Sequence, residues 1–394
     1  MGFDRAVGSF ARNAQSVGLN LVEGNRGLFD GIDAAGTHST AELAKALKSP
    51  VVLVIDTTKA TRTVAALALG CQALDPQLQI AGVILNQVAG ARHERVIREA
   101  IEKVCRLPVL GAVPRAPEGA LLSMRHLGLV TPLEYSGHDH LARELAERVG
   151  RYLDFDRLLA IARGAPPIPP PASEPHPPVD SRVTIGYLND AAFSFYYPEN
   201  LEALEAAGAR LEAISALAAA PLPGGLDALY IGGGFPETHA EALSENAAFL
   251  RSIRAAAQEG LPIYAECGGL MLLARALTWQ GHKYPMAGVL PFEVQMCAAP
   301  QGHGYTELTV DTANPFFPVG ACLRGHEFHY SKIVPDGSLP PTAAEVLRGA
   351  GSFAGRDAVL VGNVWAAYTH LHALATPEWA PAMVRAARCA QVAV

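Results

Sequence analysis

The stretch Tyr264-Ala265-Glu266-Cys267-Gly268-Gly269-Leu270-Met271 decides the fold of the second half of the chain. An apolar run, residues 261–264, precedes Cys267, and the two glycines after it open a helical pattern. This order predicts a nucleophile elbow, in which a strand ends in a sharp turn and only glycine tolerates the crowding where the helix begins. A thiol at a helix N-terminus is favoured as thiolate. A buried structural cysteine is the alternative, but it needs no glycines after it, so we predict that Cys267 is a nucleophile.

Composition limits the kinds of protein that this chain can be. Its 394 residues, half of them apolar, suffice for two domains with full cores. The net charge of −7, without a basic block, disfavours nucleic acid as a partner. The six cysteines are scattered, which is typical of a reducing cytosol rather than a disulfide framework or a zinc site. No apolar run reaches the roughly 18 residues that span a bilayer. The sequence therefore predicts a soluble cytoplasmic protein that does not enter membranes.

A proline-rich stretch, residues 165–180, divides the chain. Prolines remove backbone donors and favour extended geometry, so this stretch predicts a semi-rigid spacer, although a proline-rich interaction motif is an alternative. We predict one domain over residues 1–163, a linker over 164–181 and a second domain over 182–394. On both sides, short apolar strands alternate with helical patterns, which is typical of parallel α/β sheets.

The periodicity predicts individual elements in each half. In the first half we expect strands at residues 19–22, 51–55, 80–85 and 109–113, with helices at 10–17, 39–47 and 93–104. In the second half we expect strands at residues 183–188, 228–231, 261–265, 327–330 and 362–368, with helices at 198–207 and 245–259. We therefore expect an α/β fold with two parallel-sheet domains.

Consecutive glycines, residues 232–234, follow the predicted strand that ends at residue 231. Glycines at the end of a strand can present backbone N–H groups to a neighbouring site. Gly233 and Gly234, together with Gly268, are therefore candidates for an oxyanion hole at Cys267. A simple tight turn is the alternative.

His370 ends a strand-like run late in the chain. A cysteine nucleophile needs an imidazole within reach, which holds the thiolate and later protonates the leaving group. A histidine at the end of a strand in the same sheet would meet that need. A hydrogen-bonded histidine of the core is the alternative.

Three motifs, residues 190–200, 265–271 and 324–330, together resemble the cobyrinic acid a,c-diamide synthase family. The resemblance implies a class I glutamine amidotransferase domain with a flavodoxin-like fold in the second half. It implies that Cys267 attacks the side-chain amide of glutamine, that ammonia leaves, and that water hydrolyses the glutamyl thioester, with His370 as base. Many class I amidotransferases have a glutamate two residues after this histidine, where this chain has His372. We therefore expect a Cys–His dyad or a carboxylate from elsewhere in the chain.

The first half offers the residues for activating a carboxylate. Ammonia does not displace the oxygen of a carboxylate, so the acid is first activated, usually by ATP with Mg²⁺ held by acidic residues. Glu23 and Asp30 lie in a glycine-rich segment, residues 22–31, although such segments are also common turns. The segment resembles the ATP-dependent domain of the same family, which has a P-loop-like fold shared with dethiobiotin synthetase. The resemblance implies that Glu23, Asp30 and the strand-end Asn86 bind the nucleotide, with Glu23 as a Mg²⁺ ligand.

The phosphate-binding pattern Gly-x-x-x-x-Gly-Lys-Ser/Thr is absent from the sequence. The resemblance implies such a loop near the N-terminus, so we expect a domain that is truncated there and exposes edges of its sheet. A mis-set start codon, a split gene, a fragment and a loss of ATP binding all fit this absence.

The resemblance implies an ATP-dependent carbon–nitrogen ligase of cobalamin biosynthesis, which amidates the a and c acetate carboxylates of cobyrinic acid. A polycarboxylate substrate needs cationic or polar anchors, and the candidates are Arg26, Arg125, His126 and Arg324. Another tetrapyrrole substrate (sirohydrochlorin, its nickel form or siroheme) stays open because residues 25–26 depart from the family pattern. A Cys-dependent hydrolase, a glutaminase subunit and a non-catalytic partner are alternatives of other classes, and a homodimer stays open.

Overall fold

The computed structural model describes residues 1–14, 18–24, 27–116, 124–125, 128–129, 138–167 and 183–392. The chain divides into two compact units, Gly2–Ser173 and Glu174–Val394. The predicted linker, residues 164–181, lies outside the described residues from residue 168 onward. The predicted domain boundaries therefore stay a prediction.

The first unit alternates helices with parallel strands. Its described helices are α1 (Phe3–Asn13), α2 (Thr40–Leu47), α3 (Thr63–Leu74), α4 (Ala91–Val104), α5 (His138–Gly150) and α6 (Phe155–Arg163). Its described strands are β1 (Val51–Asp56), β2 (Ile80–Val88), β3 (Val109–Pro114), β4 (Met124–Arg125) and β5 (Gly128–Leu129). Strands β1, β2 and β3 form a parallel sheet in that order.

The core of the first unit follows the predicted periodicities. Val83 and Leu85 point from β2 to the same face two residues apart, and both are fully buried. Ile97 and Ile101 lie one helical turn apart on α4 and pack in the same cluster. The predicted strands at residues 51–55, 80–85 and 109–113 are therefore confirmed, with ends that differ by one to three residues.

One predicted element near the start of the chain is wrong. Residues 18–24 contain no strand, and Leu21 is 88% exposed. An apolar run becomes a strand only where a neighbouring strand pairs with its backbone. The predicted helix at residues 10–17 overlaps α1 over residues 10–13, and residues 15–17 lie outside the described residues. The expected exposed edge is present among the described residues, because β1 is the outer strand and Val54 is 65% exposed.

The second unit contains a mixed sheet of ten strands among its described residues. The strands of this unit are β6 (Val183–Leu188), β7 (Phe193–Phe195), β8 (Ala209–Ile214), β9 (Ala228–Ile231), β10 (Gly233–Gly234), β11 (Ile263–Glu266), β12 (Ala276–Trp279), β13 (His282–Pro285), β14 (Phe292–Met296), β15 (Gly302–Val310), β16 (Cys322–His329), β17 (Ser331–Pro335), β18 (Thr342–Arg348), β19 (Arg356–Val361), β20 (Val364–Ala367) and β21 (His370–Leu371). Its helices are α7 (Pro198–Ala206), α8 (Ala240–Glu245), α9 (Ala247–Gln258), α10 (Gly268–Leu273) and α11 (Trp379–Val392), with a 3₁₀ turn at Pro236–His239.

The large sheet runs in the order β21-β16-β15-β18-β19-β20-β11-β9-β6-β8. Strands β20, β11, β9, β6 and β8 are parallel, and they include four of the predicted strands. The other half is an antiparallel extension, of which only the strand at residues 327–330, part of β16, was predicted from the sequence. A separate sheet has the order β13-β12-β14-β17. The α/β fold class is confirmed, with this extension added to the parallel part.

Strand β11 lies between β20 and β9 in the parallel part and is buried along its whole length. Ile263 and Ala265 pack into one core cluster, and Tyr264 packs into the cluster on the opposite face. A strand that is buried on both faces reads as a continuous apolar run, as residues 261–265 do. At the carboxyl end of β11, Glu266 pairs with Ala367 of the neighbouring strand β20.

None of the described helices has the length and apolar character that a bilayer crossing needs.

Candidate active site

Cys267 follows β11 directly and begins α10, as the elbow pattern predicts. Its backbone has φ 47° and ψ −96°, a strained region for a residue with a side chain. Its N–H donates to the carbonyl of Ala367 at 2.7 Å, which holds the strained turn in place. A Cβ on Gly269 would lie 2.4 Å from the carbonyl oxygen of Ile231, so only glycine lets the helix pack this closely. The predicted strand–turn–helix is confirmed; the nucleophilic role of Cys267 stays a prediction.

His370 lies on β21 and is 7% exposed. The chain before it is held by the fully buried Asp357, whose carboxylate accepts the N–H groups of Tyr368 and Thr369 at 3.1 Å each. The side chain of Cys267 interacts with His370 and raises the pKa of the imidazole. The structure thus brings together the cysteine and the histidine that the sequence analysis singled out.

Glu266 is the carboxylate beside His370, and it is 2% exposed. Its Oε2 lies 3.6 Å from Nδ1 of His370 and accepts the Tyr230 hydroxyl at 3.1 Å. Its Oε1 accepts the N–H of Leu371 at 3.0 Å. A carboxylate thus lies beside His370, on the residue immediately before the cysteine, and both the Cys–His dyad and a carboxylate that assists it stay predictions.

The charges around His370 determine its protonation. Burial alone would lower the pKa of His370, but hydrogen bonds to Cys267 and Glu266 outweigh it and raise that pKa to about 10. The imidazole therefore carries its second proton at neutral pH. A cationic imidazole beside a thiol favours the thiolate, which is the nucleophilic form.

His326 stacks on His370, with ring centroids 5.0 Å apart and an angle of 18° between the ring planes. The register pairs these two residues across β16 and β21. Nδ1 of His326 lies 3.3 Å from the hydroxyl of Tyr197. Burial lowers the pKa of His326 to about 4, and the charges of His370 and His372 contribute to that decrease. His326 is therefore a neutral neighbour of the charged imidazole.

His372 contacts a carboxylate other than Glu266. Its Nε2 lies 3.8 Å from a carboxylate oxygen of Glu199, and its ring packs on Tyr197 at a centroid distance of 4.3 Å. The residue that stands in place of the usual glutamate of class I amidotransferases therefore pairs with a different carboxylate and does not orient His370.

The three glycines predicted as an oxyanion hole lie close to His370 and to one another. A Cβ on Gly233 would lie 2.5 Å from Cε1 of His370. A Cβ on Gly268 would lie 3.1 Å from the backbone nitrogen of Gly234. The glycines therefore lie beside the elbow, and their role as an oxyanion hole stays a prediction.

In the first unit, the residues predicted to bind ATP and metal lie on or near loops. Glu23 and Asp30 are both exposed, on chain without regular secondary structure. Asn86 lies on β2 beside Asp56 of β1, and its Oδ1 accepts the N–H of Gln87. The described residues contain no cluster of three or more His, Cys, Asp or Glu that could hold a metal ion. Carboxylates are nevertheless the donors that Mg²⁺ prefers, and with nucleotide phosphates as further ligands it needs only one or two of them, so Glu23 and Asp30 fit this ion.

The predicted substrate anchors are only partly described. Arg26 and His126 lie outside the described residues, and for Arg125 only the backbone, on β4, is described. Arg324 lies on β16 with an exposed side chain, and its Nε is 3.4 Å from a carboxylate oxygen of Glu307. Its role as an anchor stays a prediction.

Glu266 belongs to the stretch 264–271, but no function was predicted for it from the sequence. One signal could have identified it, because Glu266 is a charged residue at the end of an otherwise apolar buried strand. A buried carboxylate needs partners that offset its loss of hydration, and such partners often belong to a functional site.

Comparisons with known proteins agree with both halves of the chain. Residues 184–378 match the CobB/CobQ-like glutamine amidotransferase domain, and residues 5–120 match an AAA domain. A cobyrinate a,c-diamide synthase of Magnetococcus marinus is 44% identical over 98% of this chain and 83% of its own length. A protein of the same name from Archaeoglobus fulgidus is 38% identical over 96% of this chain and 82% of its own length. The similarity thus extends across both units.

Proposed function

Because the chain belongs to the cobyrinate a,c-diamide synthase family, we propose that it amidates the a and c acetate carboxylates of cobyrinic acid in cobalamin biosynthesis. It is a glutamine-using, ATP-dependent carbon–nitrogen ligase. The observation that carries this proposal is the 44% identity over 98% of the chain. A location in the cytoplasm and a homodimer stay predictions from the sequence.

The elbow supplies the ammonia. The Cys267 thiolate attacks the side-chain amide carbon of glutamine, and the proton held by His370 passes to the departing nitrogen as the C–N bond breaks. Water then hydrolyses the thioester and releases glutamate. The burial of Cys267 and His370 and the effect of Cys267 on the pKa of His370 support these roles. Gly233, Gly234 and Gly268 would stabilise the oxyanion of each tetrahedral intermediate through their N–H groups.

The first unit activates the acid. ATP is the co-substrate, and phosphorylation of a carboxylate turns its oxygen into a leaving group that ammonia can displace. Mg²⁺, when bound, would neutralise phosphate charge, and the exposed carboxylates of Glu23 and Asp30 would hold it. Asn86, at the carboxyl end of β2, would contact the adenine base. Arg26, Arg125, His126 and Arg324 would anchor the acidic periphery of the macrocycle.

The test incubates the chain with glutamine and Mg-ATP and follows tetrapyrrole acids by mass spectrometry. Cobyrinic acid and sirohydrochlorin are supplied in separate reactions, with Cys267→Ala as the control. We expect stepwise conversion of cobyrinic acid to its mono- and diamide, and no amide from Cys267→Ala with glutamine as donor.

Two other outcomes would replace this conclusion. Amidation of sirohydrochlorin in preference to cobyrinic acid would change the substrate but keep the reaction. Release of glutamate by the wild type, with no amide in either reaction, would leave a glutaminase without the ATP-dependent step.

A further inference from the structure

We propose that Glu266 is a positioning residue of the amidotransferase site, which orients the His370 imidazole toward Cys267. This inference rests on the proposed roles of Cys267 and His370. The glutamate that many class I amidotransferases carry two residues after the histidine is replaced here by His372. Glu266 would supply the same function from the strand of the nucleophile.

Two of the contacts of Glu266 are with His370 and with the residue that follows it. Its Oε2 lies 3.6 Å from Nδ1 of His370, and its Oε1 accepts the N–H of Leu371, the next residue, at 3.0 Å. The carboxylate therefore contacts both the base and the backbone that carries the base. A hydrogen bond to one ring nitrogen determines the orientation of an imidazole and which nitrogen faces the reacting group.

The strained turn at Cys267 explains how two consecutive residues reach one imidazole. Successive side chains of a regular strand point to opposite faces of the sheet. With φ 47° and ψ −96°, Cys267 departs from strand geometry directly after Glu266. Both side chains can then interact with His370, and both do. Backbone strain of this kind is typical of functional sites.

A purely structural role is the alternative for Glu266. The Tyr230 hydroxyl and the Leu371 N–H could donate hydrogen bonds to an uncharged side chain equally well. A buried carboxylate also needs a cationic partner. His370 is that partner. The nearby carboxylate of Glu199 contacts His372 instead. Among the described residues, the ion-pair geometry therefore couples Glu266 to His370.

Several elements carry titratable groups that lie near His370 or its neighbours, and these groups contribute to the pH dependence of glutaminase activity. The groups are Cys267 after β11, Glu266 on β11, His326 on β16, Tyr230 on β9, Tyr197 before α7 and His372 after β21. Of these, Glu266 and Cys267 raise the pKa of His370, which reaches about 10 despite burial. Loss of the Glu266 charge should therefore lower that pKa.

The experiment compares full-length Glu266→Gln, Glu266→Asp and Tyr230→Phe with the wild type. Glutamate release is measured against glutamine concentration from pH 6 to pH 11, and alkylation of Cys267 by iodoacetamide is followed by peptide mass spectrometry over the same range. Glu266→Gln keeps the shape of the side chain and removes its charge. Tyr230→Phe is the matched control, since it removes another hydrogen bond to the same oxygen and leaves His370 paired.

We expect Glu266→Gln to lower kcat by about 100-fold with little change in KM, as for loss of assistance to a general acid–base. Its activity should also decline at a pH at least about one unit lower than in the wild type, because His370 loses its proton earlier. Glu266→Asp retains the charge and should keep more activity than Glu266→Gln. Tyr230→Phe should keep the alkaline decline of the wild type.

A Glu266→Gln protein with wild-type kcat and alkaline decline would overturn the proposal. If Glu266→Gln does not fold, Glu266→Asp decides, because its shorter side chain withdraws the carboxylate from His370: its kcat must be lower than that of Tyr230→Phe, and equal kcat values would overturn the proposal. Glutaminase activity that survives in Cys267→Ala is a separate failure, because it contradicts the proposed nucleophile and hence the proposed function.

Discussion

The elbow of the second unit and the segment of the first unit that contains Glu23, Asp30 and Asp33 (the acidic loop) differ in how far their polar side chains are exposed. Around the elbow, Glu266 and His370 are nearly inaccessible to solvent and their partners come from several strands. Glu23 and Asp30 are exposed on chain without regular secondary structure. A buried, hydrogen-bonded site has its geometry before the substrate binds, whereas an exposed loop acquires part of its geometry from the ligand.

This difference follows from the chemistry of each half-reaction. A thiolate needs a fixed cationic partner, which a rigid sheet can supply. A nucleotide with its metal brings several charges and ligands of its own, so few protein groups suffice. The two regions should therefore respond differently to substitution.

The largest effect is expected at the elbow. His370→Asn should lower glutamine-dependent activity about 1,000-fold, because no other imidazole contacts the thiol among the described residues. His372→Asn is the matched control on the same stretch of chain, and it should stay within a few-fold of the wild type by the same principle. Steady-state assays of glutamate release check this, and equal losses in both variants would mean that the wrong histidine has been assigned.

The acidic loop should give the next largest effect, and in the other half-reaction. Asp30→Asn should lower ATP-dependent amidation about 100-fold with ammonia supplied directly, because one carboxylate for Mg²⁺ is lost. Glutaminase activity should persist, since the elbow is untouched.

Asp33→Asn provides the control in the same loop. Asp33 is exposed and accepts the N–H groups of Ala35 and Thr37, so it shapes the turn without a proposed ligand. Raising Mg²⁺ should partly restore Asp30→Asn and leave Asp33→Asn unchanged. A loss of activity in Asp33→Asn as large as that in Asp30→Asn would reduce the acidic loop to a structural turn.

The raised pKa of His370 predicts a pH-dependent contribution to stability. Because this pKa rises from 6.5 to about 10 on folding, the contribution is fully present below pH 6.5 and is lost as pH rises through about 10. Thermal midpoints of the wild type and His370→Gln should therefore converge between these two values. Calorimetry of both proteins across this pH range measures the difference between their thermal midpoints. A difference that does not change with pH would contradict the ion-paired state of His370.

The smallest effect is expected from the support beneath the site. Asp357→Asn should destabilise the second unit by about 1–3 kcal/mol, because a buried acceptor of three hydrogen bonds is weakened. It should not move the alkaline decline of glutaminase activity, since Asp357 holds the chain before His370 and not its ring. Urea unfolding and a pH profile check the two parts, and a shifted decline would extend the site to Asp357.

Much of the parallel architecture could be predicted from periodicity. The strands at residues 183–188 and 228–231 have the predicted bounds, and the elbow has the predicted order of strand, turn and helix. These elements succeed because their signal is local: apolar runs, glycines and caps. Most of the antiparallel half could not be predicted in this way, since strands such as β18 carry mixed polar sequences and depend on pairing with other strands.

The sequence by itself determined the family, the nucleophile candidate and the histidine candidate, because each depends on residue types in a short fixed order. Only the tertiary structure decided what surrounds His370. Glu266 and Leu371 are 105 residues apart in the chain, and they meet because β11 pairs with β20, the strand that ends shortly before Leu371. Contacts of this kind arise from strand pairing and burial, and no local pattern encodes them.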